Sequence, residues 1–65
     1  MQVFVNGTAF DAPEGGTLAA LVQIIAPRGR YAIELNGEIV PRSGYAESVL
    51  APGDRVEVVQ AVGGG

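Results

Sequence analysis

The chain has 65 residues and a formal charge of -3, from seven acidic residues against four arginines, and it contains no Cys, His or Lys. That length leaves room for one small domain; the composition excludes a disulfide staple, a thiolate zinc site and a cysteine nucleophile, and the charge has the wrong sign for tracking nucleic-acid phosphates. The longest apolar stretch, Leu18 to Ala26, is interrupted by Gln23 and too short to span a bilayer, and no basic segment followed by an apolar core opens the chain, so the expectation is a soluble, cytoplasmic monomer.

Met1, Val3 and Val5 alternate with Gln2 and Phe4, the period of a half-buried strand, which puts one large apolar residue, Phe4, on the outer face. Asn6-Gly7 follows. Both residues tolerate the positive φ of a type I′ turn, so this strand is expected to pair antiparallel with Thr8 to Ala12. Ala12 to Gly16 is a run of turn formers, and Thr17 is placed to cap a helix by accepting from a free backbone N–H. Leu18, Leu21, Val22 and Ile25 stand at i, i+3, i+4 and i+7, one apolar stripe of a two-turn helix. Pro27 ends it by disfavouring helical geometry at Ala26. Ile24 falls off the stripe, partly exposed or tucked under the next loop.

After Arg28-Gly29-Arg30, the residues Tyr31, Ile33 and Leu35 alternate with Ala32 and Glu34, and a second Asn-Gly, Asn36-Gly37, turns into a short strand from Glu38 to Val40. Pro41 to Leu50 has no clear period and reads as irregular. Pro52-Gly53 has the residues of a type II turn, and a last strand is expected over Arg55 to Val62. In it Val56 and Val58 share one face, whereas Val59 and Ala61 bring apolar surface to the outer one. The elements sum to an α+β domain over 1–62, with strands at both ends and one main helix, followed by a flexible glycine tail, 63–65.

That tail is the feature least expected by chance, because Gly is about 7% of average sequence. Gly63-Gly64-Gly65 is either a slack end of the kind common at termini or the presented end of the molecule, with the Gly65 carboxylate as its reactive group. Gly15-Gly16-Thr17 reads as a turn and cap rather than an anion site, since no P-loop Lys accompanies it. The acidic Glu14, Glu38 and Glu57 suit either a solvated surface or a basic partner.

The opening Met1-Gln2-Val3-Phe4-Val5 and the apolar strand running into glycines are similar to ubiquitin. More specifically, Glu34-Leu35-Asn36-Gly37-Glu38-Ile39-Val40-Pro41-Arg42-Ser43, Gly53-Asp54-Arg55-Val56-Glu57-Val58-Val59 and the terminal glycines resemble the ThiS family, the sulfur carriers of thiamine biosynthesis, over essentially the whole chain. The resemblance implies a ubiquitin-like β-grasp, with a mixed sheet of about four to five strands on one main helix and the first and last strands parallel at its centre. It further implies that the chain is no enzyme and binds no cofactor. Its Gly65 carboxylate would be adenylated with MgATP by an enzyme of the ThiF type, resembling those that activate ubiquitin, and converted to a thiocarboxylate. A sulfur donor supplies the sulfur, and a thiazole synthase of the ThiG type receives it. Gly63 and Gly64 would give access to a narrow channel. Phe4, Val59, Ala61 and Val62 would form the docking face; single exposed apolar residues are also ordinary. Gln60 stands where the family often has His. Without Lys, copies of the chain have no side-chain amine on which to be joined. Two other readings stand beside this one: the small subunit of molybdopterin synthase, usually longer, and a non-reactive β-grasp binding module or tag.

Overall fold

The structure is a computed structural model and describes residues 1–60. Its elements follow the expected order: β1 (Gln2–Val5), β2 (Thr8–Asp11), α1 (Leu18–Ile25), β3 (Tyr31–Leu35), β4 (Glu38–Val40), a 3₁₀ helix (Arg42–Glu47) and β5 (Arg55–Gln60). Both Asn-Gly pairs take positive φ, 49° and 81° at Asn6-Gly7 and 52° and 87° at Asn36-Gly37, which is what a tight hairpin turn requires. The strands make one mixed sheet in the order β2-β1-β5-β3-β4. β1 and β5 are parallel at its centre, through Phe4 opposite Arg55 and Val5 opposite Val56. The ubiquitin-like β-grasp arrangement holds.

One face of the sheet and α1 enclose the core. Thr17 accepts a hydrogen bond from the Ala20 N–H at 3.2 Å, and the helix buries Leu18, Leu21 and Val22 against Val3, Ile33 and Val56. Ile24 is exposed, at 55%. The helix ends at Ala26, whose φ of 49° and ψ of 59° are left-handed and whose N–H bonds to the Val22 carbonyl. Pro27 thus ends the helix by driving its predecessor out of the right-handed region.

The segment read as irregular contributes more than a crossing. Leu18 N–H donates to the Ser48 carbonyl (2.8 Å) and Leu50 N–H to the Gly16 carbonyl (2.9 Å), which pins this stretch beside the start of the helix. Tyr45 and Leu50 thereby enter the core. Spacing of this kind has no period because the backbone changes from 3₁₀ to extended within it.

Candidate functional site

Where the last strand ends, the molecule must present whatever follows, and the local structure fixes that strand with unusual thoroughness. The Asn36 side chain accepts from the Arg55 N–H (2.9 Å) and donates to Asp54 Oδ1 (3.1 Å), while Asp54 Oδ2 accepts from the Ala51 N–H (2.8 Å). This fastens the beginning of β5. Farther along, β1 turns away after Val5, and the Asn6 side-chain oxygen takes the Val58 N–H at 2.8 Å in place of the missing strand. Each Asn-Gly pair therefore serves as hairpin turn and as clamp on β5. At the far end, Gln60 Nε2 donates to the Arg28 carbonyl at 3.1 Å, tying the end of β5 to the loop after α1.

The outer face of the sheet carries the candidate docking residues. Register places Phe4 beside Ala9 and Arg55, Ala32 opposite Val59, Glu34 opposite both Glu57 and Ile39. Phe4 is half-buried and Val59 is 47% exposed. They share a face but do not touch as one patch: Val59 lies four residues beyond the position opposite Phe4, about 13 Å along the strand, and Glu57 lies between. Two shallow depressions flank this point, one lined by Phe4, Gly7, Arg55 and Glu57, the other by Arg30, Tyr31, Ala32, Val59 and Gln60. Ile39, 60% exposed, extends the apolar outer surface to β4. The alternation of Glu38-Ile39-Val40 carried that signal, but a strand of three residues is too short to assign faces from sequence alone.

Ala61, Val62, Gly63, Gly64 and Gly65 lie outside the described residues, as do the last two positions of the strand expected to reach Val62. Of the expected site, Phe4 and Val59 are on the described part of the molecule. Glu34 and Glu57 face each other with like charge at the middle of the outer face, an unfavourable pairing in a sheet. Glu14 lies elsewhere, 3.3 Å from the Met1 ammonium, which Asp11 also approaches at 3.3 Å. On the other side of the sheet the Arg42 guanidinium stands 5.8 Å from the centre of the Tyr31 ring, a cation–π distance. Burial, followed by the neighbouring Tyr31, raises the Tyr45 phenol above its usual range, with Arg42 acting the other way. Among the described residues no three His, Cys, Asp or Glu side chains gather to hold a metal ion, and no helix is long and apolar enough to cross a membrane.

Comparison with known proteins places this arrangement. The ThiS family model matches residues 3–65. The chain is 30% identical to the sulfur carrier protein ThiS of Escherichia coli, with both chains covered in full. It is 36% identical to a thiazole synthase of Paramagnetospirillum magneticum and 37% identical to one of Magnetococcus marinus, in each case over the whole of this chain and 20% of the relative, so it spans about a fifth of those proteins. The crystal structure of the thiamine biosynthesis protein ThiS from Geobacter metallireducens superposes with a TM-score of 0.82 at 29% identity, covering both chains completely. With a five-stranded β-grasp sheet clamped around the strand that leads to three glycines, and a family match running to the last of them, this chain belongs to the ThiS family.

Proposed function

We propose that the chain is a sulfur carrier of thiamine biosynthesis, acting in the cytoplasm as the substrate of other enzymes. The observation that carries this reading is the match to the family through Gly65, in a chain that has no Cys and no His to act as a nucleophile or base. The two thiazole synthases that contain a segment like this chain favour the thiazole pathway over molybdopterin.

A terminal carboxylate is ionised at neutral pH, since its ordinary pKa is about 3.3 to 3.7, and a carboxylate is a poor electrophile. An adenylating enzyme of the ThiF type must therefore join the Gly65 carboxylate to the α-phosphate of MgATP, releasing pyrophosphate. A sulfur nucleophile from the donor then adds to the carbonyl carbon, and AMP leaves. Where the attacking sulfur is the terminal one of a donor persulfide, a second thiol on the donor then displaces the S–S bond of the acyl disulfide so formed, leaving a thiocarboxylate on Gly65 and a disulfide on the donor, and a thiazole synthase of the ThiG type takes the sulfur. Gly63 and Gly64 let the backbone enter a narrow channel without side chains. Phe4, Val59, Ala61 and Val62 form the apolar part of the docking face, with Glu57 between Phe4 and Val59.

The test is intact-mass spectrometry of the chain after incubation with its adenylating enzyme, MgATP and a sulfur donor. The expected result is the mass gain of one sulfur replacing one oxygen in the full chain, and no gain in a chain lacking Gly65. An unchanged mass where a control carrier reacts overturns the reading, and so does conversion of the shortened chain.

A further inference from the structure

The arginines of this acidic chain are not scattered. Gln60 holds the Arg28 carbonyl, Gln60 lies opposite Tyr31, Arg30 and Gln60 line the same depression of about 260 Å³, and Arg42 stands over the Tyr31 ring. Three of the four arginines, Arg28, Arg30 and Arg42, therefore lie on segments next to the Tyr31–Gln60 rung, from which the chain runs on toward its glycines, with the Arg42 guanidinium over the Tyr31 ring. All three are exposed, and the ion pairs found among the described residues both belong to the Met1 ammonium instead. The acidic residues Asp11, Glu14, Glu38 and Asp54 lie toward the opposite end, beside the start of β1, the end of β2 and the start of β5. The sequence shows the negative total; only the fold reveals that its positive charge is concentrated at one pole.

We propose that Arg28, Arg30 and Arg42 form a basic collar that docks on an acidic protein surface at the mouth of the channel by which the adenylating enzyme receives the tail. This rests on the carrier reading above and adds the electrostatic character of the partner's surface. The competing anion, the triphosphate of ATP, is excluded by reach. Five residues, 61 to 65, separate Gln60 from the reacting carboxylate, and in the extended form that a narrow channel admits they span about 17 Å. The α-phosphate must meet the carboxylate, so arginines at the base of the tail remain at the entrance, against protein. Charge complementarity in such a place speeds encounter and sets orientation, and it weakens as salt screens it.

The experiment measures carrier-dependent ATP–pyrophosphate exchange by the adenylating enzyme as a function of carrier and salt concentration, for the wild-type chain, the triple variant R28Q/R30Q/R42Q and the triple variant R28K/R30K/R42K. Thermal unfolding verifies that each is folded. The neutral variant is expected to raise KM for the carrier about tenfold at low salt, change kcat less than about twofold, and lose most of the salt dependence. The lysine variant keeps both within about threefold of wild type. A neutral variant with wild-type KM and salt dependence overturns the collar while leaving the carrier reading intact. An equal loss in the lysine variant also overturns it, because the effect then follows arginine packing, such as Arg42 on Tyr31, and not charge. If the wild-type chain supports no exchange at all, the carrier reading itself fails, and that outcome is distinct from the other two.

Discussion

At the scale of single residues, the two asparagines before glycine do more than the turn chemistry of their dipeptides indicates. Asn6 has a φ of 49° and its side chain takes the Val58 N–H. The two contributions can be separated by substitution. Asn6→Gly keeps the conformation and loses the hydrogen bond, and is expected to cost about 1 kcal/mol. Asn6→Ala keeps a Cβ in the left-handed region but loses the amide that helps asparagine occupy it, and is expected to cost about 1.5 to 2 kcal/mol. Chemical denaturation of the two variants measures the difference, and equal losses would mean that only the hydrogen bond matters. Phe4 divides differently. It is half-buried on the outer face, so Phe4→Ala gives up only part of the apolar burial of about 1.5 to 3 kcal/mol that a full core position provides. Carrier KM in the exchange assay is expected to rise by a larger free energy than stability falls, and the reverse ranking removes Phe4 from the docking face.

At the scale of elements, the sequence signals were strong wherever one physical cause acted locally. The i, i+3, i+4, i+7 stripe and its Thr17 cap locate α1, and Asn-Gly locates both hairpins, because period and turn conformation are properties of neighbouring residues. The stretch after β4 was not legible in the same way. Tyr45 and Leu50 are buried through pairing of Ser48 to Leu50 with Gly16 to Leu18, contacts between segments some thirty residues apart. The end of α1 holds a removable strain. Ala26 is left-handed, at φ 49°, which costs an L-residue about 1 to 2 kcal/mol, partly offset in glycine by its freer unfolded chain. Ala26→Gly is therefore expected to stabilise the domain by about 0.5 to 1 kcal/mol, a rise of roughly 2 to 8 °C in Tm for a domain this small. A lower Tm would show that the preceding turn tolerates Ala without strain.

At the scale of the whole molecule, under the proposed carrier reading, the domain and the tail are separable in energy and joined in function. Val3, Leu18, Leu21, Ile33 and Val56, the most deeply buried side chains among the described residues, all precede the tail. Removal of Gly65 is thus expected to leave Tm within about 1 °C, since a terminal glycine has no side chain to bury, while adenylation is lost. A fall of several degrees in Tm would make the tail part of the fold. The sequence by itself determined the order of the strands and the main helix, the single apolar helix face, the two hairpins, the net charge and the glycine ending, because each is set by composition or by residues within a few positions of one another. The tertiary structure alone decided that β5 is clamped by Asn6 and Asn36, that Phe4 and Val59 flank Glu57 without touching, and that the segments carrying Arg28, Arg30 and Arg42 come together beside the Tyr31–Gln60 rung. Those juxtapositions depend on strand order and register, which bring together residues from opposite parts of the chain, and no local period encodes them.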